Sequence, residues 1–294
     1  MLAYRHACPG CLRRNDSTEY RAMSIAQQLK APMALLAALL LMPLACLAGS
    51  EQCGPMRMAY TSQAIPPYFM GSGARVASPP GASIEFFRDM AKANACEFTL
   101  ERMPLARLRV SVDVGLIDAS FLDQPSPKER NILRPLDSKG QLDYSRAVQV
   151  SVVVFVRAED KAVAAQDPER FLATGVLGVT HGAAYATELR RRGYRVDDGA
   201  NNFLLNLEKL RLHRIDGFAV GVHSEDDLDN MMRASHGARI ERLDRPLMKT
   251  SFWLAVHRDY YNANRVQVER MWTWIGMHGH ERMSDLVNKY KHQP

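Results

Sequence analysis

Apolar and polar positions along this chain follow two periods. A period of two, or a short apolar run between breakers, predicts a strand, and recurrence every three to four positions predicts a helix. Met56, Met58 and Tyr60 alternate within a strand over 55–61, and 97–102 reads as a second strand. Between them Ile84, Phe87, Met90 and Ala91 form the apolar stripe of a helix over 82–91. A further helix is predicted over 105–114, ending at Gly115 as its C-cap. Ile117, Ala119, Phe121 and Leu122 then make a buried strand that Pro125 stops. The β-branched run 148–156 is another buried strand. It is followed by a strand over 176–179, a helix over 183–192 that Gly193 terminates, a helix over 204–212 and a strand over 215–220. A strand over 251–256 and a helical segment over 266–290 complete the chain. Strands alternating with helices predict an α/β fold with mainly parallel sheets.

An internal echo points to two related lobes. Ile117-Asp118-Ala119 and Ile215-Asp216-Gly217 each follow a helix and open a buried strand, with the aspartates placed as turn or capping carboxylates. The run 148–156 leaves one lobe and 251–256 returns to it. The expected organisation is therefore 51–150 in the first lobe, 151–248 in the second and 249–294 back in the first. Two crossing strands imply a cleft, and a ligand bound there would close the lobes about the hinge.

The first fifty residues concern targeting. Lys30 precedes an almost unbroken apolar segment over 31–48, and small residues at Cys46, Ala48 and Ser50 offer cleavage after Ala48 or Ser50, as in a secretory signal. An uncleaved anchor is disfavoured by Pro43, and lipidation at Cys46 by proline where leucine is usual. Residues before Met23 read as an upstream extension, in which Cys8 and Cys11 with His6 fall short of a zinc set. The net charge of +6 falls to +3 once those fifty residues are set aside. No basic run stands out, so nucleic acid is not an expected partner. Of five cysteines, Cys53 and Cys96 remain in the mature chain, each just before a predicted strand. If those strands are parallel neighbours, their starts lie side by side and a disulfide is expected, the alternative being two buried thiols.

Candidate chemistry concentrates between Gly115 and Arg130. Ser126, Pro127 and Glu129 fit a capping box with proline at the first helical position, predicting a helix start there. Arg130 in its first turn would clamp a carboxylate through its guanidinium and the backbone donors, or else is a surface arginine. Nothing matches G-x-S-x-G, H-E-x-x-H or a phosphate-cradling loop. Asp123 and Glu85 are the acids placed near the cleft, and Glu85 has an ordinary exposed-face role on its helix, so no enzyme is expected.

The run from Gly115 to Arg130, preceded by Met103-Pro104-Leu105-Ala106-Arg107, resembles the first-lobe signature of the bacterial extracellular solute-binding proteins of amino-acid-type ABC transporters. Ile65-Pro66-Pro67-Tyr68 resembles the first pocket loop of that family, 81–91 its first helix, and Leu177-Gly178-Val179-Thr180-His181-Gly182 its second-lobe anion loop. Asn206-Leu207-Glu208-Lys209-Leu210 with Arg214-Ile215-Asp216-Gly217 resembles the second-lobe helix and strand. The resemblance implies the two-lobed periplasmic binding protein type 2 fold, each lobe a mainly parallel sheet flanked by helices, with two crossing hinge strands. It implies a periplasmic monomer that captures a small polar, carboxylate-bearing solute for an ABC transporter permease or, alternatively, for another inner-membrane partner that senses it; a further alternative is a periplasmic dehydratase-type enzyme, which uses the same fold. No cofactor or metal is implied. The residues placed to contact the solute are Tyr68, Arg107, Asp123, Ser126, Arg130, His181, Gly182 and Ala183, with Arg130 as principal anchor.

This chain departs from that pattern at three points. Pro127 replaces the family's hydroxyl residue, with Ser126 next to it. Gly182-Ala183 lacks the hydroxyl of the usual G-T or G-S. Gly221 stands where amino-acid binders place an aspartate for the ligand ammonium, so either Asp123 or Glu225 supplies that charge or the solute is not an ordinary α-amino acid.

Overall fold

Residues 53–291 are described by the structure, a computed structural model. The signal segment, its cleavage sites, Cys8, Cys11 and Cys46 lie outside the described residues. The first half runs β1 (Met56–Thr61), α1 (Ala82–Ala93), β2 (Phe98–Met103), α2 (Leu105–Asp113), β3 (Ala119–Leu122), β4 (Ile132–Leu133) and β5 (Val148–Arg157). The second runs α3 (Ala158–Gln166), α4 (Pro168–Thr174), β6 (Val176–Thr180), α5 (Tyr185–Arg191), β7 (Arg195–Ala200), α6 (Phe203–Arg211) and β8 (Gly217–Val222). It continues with α7 (Asp229–His236), β9 (Ile240–Arg242), β10 (Met248–His257), α8 (Arg258–Ala263) and α9 (Arg265–Lys291).

The echo seen in the sequence is a repeat of topology. β1-α1-β2-α2-β3 and β6-α5-β7-α6-β8 each form a parallel sheet with the first strand in the middle, ordered β2-β1-β3 and β7-β6-β8. Both aspartates clamp the third strand to the first. Asp118 accepts the Arg57 N–H at 2.7 Å and donates its own N–H to the Arg57 carbonyl at 2.9 Å; Asp216 does the same with Val176 at 2.7 and 2.8 Å. A short carboxylate reaching a neighbouring amide does this wherever a ladder begins.

β5 and β10 join the two sheets. They pair antiparallel from Met248↔Val152 to Phe252↔Val148; beyond that point β10 pairs with β3 and β4, and β5 with β8 and β9. Both strands are long because each serves two sheets. The 27-residue α9 lies across α1, burying Met271, Ile275, Met283 and Leu286 in the cluster that holds Phe86 and Met90. Among the described residues no helix is long and apolar enough to cross a membrane.

The disulfide forms for the anticipated reason. β1 and β2 are parallel neighbours from Met56↔Phe98 onward, which leaves the Cys53 and Cys96 Cα atoms 4.9 Å apart and bridged. The helix predicted at Ser126 does not form. Pro127 and Lys128 make a turn, in which the Glu129 N–H bonds the Ser126 carbonyl at 3.0 Å while the Glu129 carboxylate accepts the Ser126 N–H at 2.9 Å. Half of the capping box is present, but the chain must return at once to pair Ile132 and Leu133 with β10, leaving no length for a helix. β7 was hidden by its polar sequence Arg-Val-Asp-Asp-Gly-Ala, and α7 by having only two methionines as large apolar residues.

Candidate functional site

Parallel strands deliver their C-terminal ends to the same side, and there the two lobes touch. β2 leads into Ala106 at the start of α2, and β6 leads into Gly182, whose φ is +82°. A Cβ at Gly182 would lie 2.6 Å from the Ala106 nitrogen and 2.8 Å from its Cα, so the left-handed backbone and the approach both require glycine. Arg107 is therefore next to the contact, exposed, with its N–H on the Pro104 carbonyl at 2.8 Å.

Across the contact, His181 is exposed. Its N–H bonds the Ala200 carbonyl at 2.7 Å, and its ring Nδ1 lies 3.3 Å from the Asp198 carbonyl. The Ala183 N–H is engaged by the Thr180 carbonyl at 2.9 Å, and α5 begins only at Tyr185. The expected anion loop thus has one amide donor fewer than its sequence suggested.

Asp123, at the end of β3, is buried and paired with Arg109 from α2. Arg109 also meets Glu129, which Arg134 grips through both nitrogens at 2.7 and 3.3 Å. Two guanidiniums and two carboxylates compensate one another in a site where the Arg134 side chain is 3% exposed. Burial pushes the Asp123 carboxyl up, against the pull of Arg109 and Arg134, and brings Arg134 down to about 10, against the pull of Asp123. Asp123 already has its countercharge. Ser126 belongs to the turn above this cluster, its Oγ accepting the Lys128 N–H at 3.4 Å.

Arg130 is placed differently from the expectation. Its N–H bonds Asp113 at 2.8 Å, its carbonyl accepts from Arg258 at 2.8 Å, and the residue is exposed. Asp113 is the last residue of α2 and Ala106 is in its first turn, so about 10 Å of helix separates Arg130's backbone support from the lobe contact. The absence of the predicted helix at Ser126 removes the first-turn amides that were to join Arg130 in holding a carboxylate.

Tyr68 is buried, and its hydroxyl reaches the second lobe, donating to Asp227 and accepting the His223 N–H at 2.6 Å. Burial first, then Asp227, pushes this phenol well up, so it stays a donor. At Gly221, a Cβ would meet Val150 Cγ1 at 2.9 Å and the Tyr185 ring at 3.9 Å. Packing against the crossing strand fills the position where an aspartate would stand. Arg109, Arg134, Asp227 and Lys291 were missed by sequence reasoning, because single charged residues in loops and on a helix carry no period that reveals their partners.

Two surface concavities lie elsewhere. One of about 550 Å³ is bordered by Arg88, Lys92, Cys96 and Phe98, and one of about 360 Å³ by Lys161, Asp229, Arg233 and Glu241. Neither includes a residue of the Ala106–Gly182 contact. The opposed strand-end loops define the site better than cavity size, because they bring residues of both lobes together.

No protein-family model matches the chain, and no curated protein matches it either. Solved structures do. The GluR0 ligand-binding core from Nostoc punctiforme, in complex with L-glutamate, aligns with a TM-score of 0.57 at 16% identity over 80% of this chain and 99% of its own. The amino acid ABC transporter substrate-binding protein AbpA from Streptococcus pneumoniae, bound to L-arginine, aligns at 0.58 and 13% identity over 80% and 94%. This chain has the two-lobed periplasmic binding protein type 2 fold. A histidine kinase sensor domain with similarity to periplasmic binding proteins matches it as well, at 0.58 and 13% identity over 80% and 96%. In this fold β5 and β10 are the crossing strands, and the Ala106 and Gly182 loops meet where the two lobes touch.

Proposed function

We propose that this protein is a periplasmic solute-binding protein that closes its lobes around a small polar, carboxylate-bearing solute and presents it to an ABC transporter permease. The carrying observation is the pair of loops, one from each lobe, that meet at Ala106 and Gly182, on lobes that the paired strands β5 and β10 connect. The boundaries proposed for the lobes are 51–150 with 249–294, and 151–248; the protein acts as a monomer after removal of a signal peptide. Neighbours of the same fold bind L-glutamate and L-arginine, which supports a solute of that size. The sensor-domain neighbour supports the second reading, delivery of the signal to another inner-membrane partner.

The reading is one of binding without catalysis. Glu85 is tied to Lys289 at 2.7 Å and Tyr290 at 2.6 Å, and Asp123 to Arg109, so neither acid is placed for proton transfer. Gly221 offers no partner for an ammonium, which favours an organic acid over an α-amino acid. We assign the carboxylate to the Arg107 guanidinium, beside the lobe contact, with His181 and the Gly182 backbone opposite.

A micromolar site needs about 8 kcal/mol, of which one charge-assisted guanidinium contact contributes roughly 1.5–3. Arg107→Ala is therefore expected to weaken binding at least tenfold by titration calorimetry, with Arg130→Ala changing it less than about threefold. The opposite order would return the anchor to Arg130. Unchanged affinity in both would reject a guanidinium anchor.

A further inference from the structure

One cluster, built around Tyr68, spans both lobes. The segment after β8, from His223 to Leu228, belongs to the second lobe, and it is gripped by groups of the first. The Asp227 carboxylate is fully buried. It accepts the Ser224 N–H at 2.7 Å and the Tyr68 hydroxyl and forms an ion pair with the Lys291 ammonium at 2.7 Å, and Lys291 also lies 3.4 Å from Asp226. His223 is half-buried. Its N–H bonds Tyr68, its Nε2 lies 3.4 Å from Ser284 Oγ on α9, and its ring centroid lies 5.1 Å from that of His280 on the same helix.

We infer that Tyr68, the His223–Asp227 segment and the end of α9 form an acid-released latch that holds the two lobes together. The inference rests on the reading that the lobes move about β5 and β10, and it names what sets that motion. The contacts cannot survive separation, since the hydroxyl of Tyr68 comes from one lobe and both of its partners from the other. Water would then reach Asp227 and His223.

Acid sensitivity follows from what surrounds the His223 ring. On its own segment stand Asp226 and Asp227; β5 offers the Gln149 backbone; α9 presents His280, Ser284 and Lys291; the first-lobe loop presents Tyr68. Asp227 favours a proton on the ring, but it is shared with Lys291 and Tyr68, whereas His280 and Lys291 oppose it. Burial is the largest influence, and it takes His223 below its ordinary value of 6.5. A group held neutral when packed costs nothing while the pH is above that value. As the pH falls below it, the separated form takes the proton first and the latched form loses ground.

The test is the radius of gyration of the purified protein, by small-angle X-ray scattering with no solute added, at pH 7.5 and pH 5, with far-UV circular dichroism to establish that the fold persists. Wild type is expected to expand by about 1 Å at pH 5 from the roughly 18–19 Å of a compact chain of this length. His223→Gln, which cannot charge, should not expand. Tyr68→Phe should already be expanded at pH 7.5. A wild type with the same radius at both values, compact or expanded, overturns the latch, as does a His223→Gln protein that expands like wild type. Because no solute is present, failure to find a solute leaves this outcome unaffected.

Discussion

Replacing Cys53 and Cys96 together by alanine is expected to lower the stability of the protein by about 4 kcal/mol while leaving its fold intact. The bond closes a segment with a sequence separation of 43, for which the chain-entropy account gives that figure. The native state has little to lose, since the β1–β2 register from Met56↔Phe98 already places the two starts together. The effect therefore lies in the unfolded chain, which gains freedom. Both sulfurs are buried, and alanine avoids placing new hydroxyls there. Urea unfolding followed by circular dichroism would report the loss as a lower midpoint at unchanged slope. A loss under about 1 kcal/mol would mean that the bond is not closed in the purified protein, or that the unfolded chain keeps this region together.

A comparable loss, about 3–5 kcal/mol, is expected for Arg134→Ala. Its side chain is 3% exposed and holds Glu129, itself 6% exposed, by two hydrogen bonds. Arg109 would remain, but it must also neutralise Asp123. Two buried carboxylates would then share one guanidinium. Removing one partner from such a cluster leaves an uncompensated charge, which costs more than the intact cluster gains. The double variant Arg134→Met with Glu129→Gln should recover much of the loss, because the charge left behind is removed as well. A double variant no more stable than Arg134→Ala alone would show that packing, not charge, is what Arg134 supplies.

The fold was largely legible from local pattern. Alternation at Met56, Met58 and Tyr60, the stripe Ile84–Phe87–Met90 and the β-branched run that became β5 all report burial, and burial is what a period encodes. The disulfide was legible because each cysteine preceded a predicted strand, and the two strands are parallel neighbours. The repeat was legible in three residues, Ile-Asp-Ala and Ile-Asp-Gly, since each aspartate must reach the first strand of its own lobe.

The site was harder to see. Ser126-Pro127-Lys128-Glu129 satisfies the local rule for a helix start, yet the pairing of β4 with β10 overrides it, and with the helix go the first-turn amides that were to join Arg130. Arg107 carries no pattern of its own. The role proposed for it comes from Ala106 meeting Gly182, a contact between residues on different lobes. Tyr68 and Asp227 lie 159 positions apart, and no periodicity links a phenol to a carboxylate at that distance. Long-range charge pairing is a property of the assembled chain.

The most direct test of solute capture is a thermal-shift panel of organic acids, amino acids, polyamines and short peptides, in which a bound solute raises the melting temperature by mass action. A solute at a hundred times its dissociation constant adds about 2.7 kcal/mol. One or more carboxylates should shift the transition upward in a concentration-dependent way, with acids that lack an α-ammonium ahead of the α-amino acids. A panel in which no carboxylate moves the transition at millimolar concentration, or in which polyamines alone do, would contradict the proposed function.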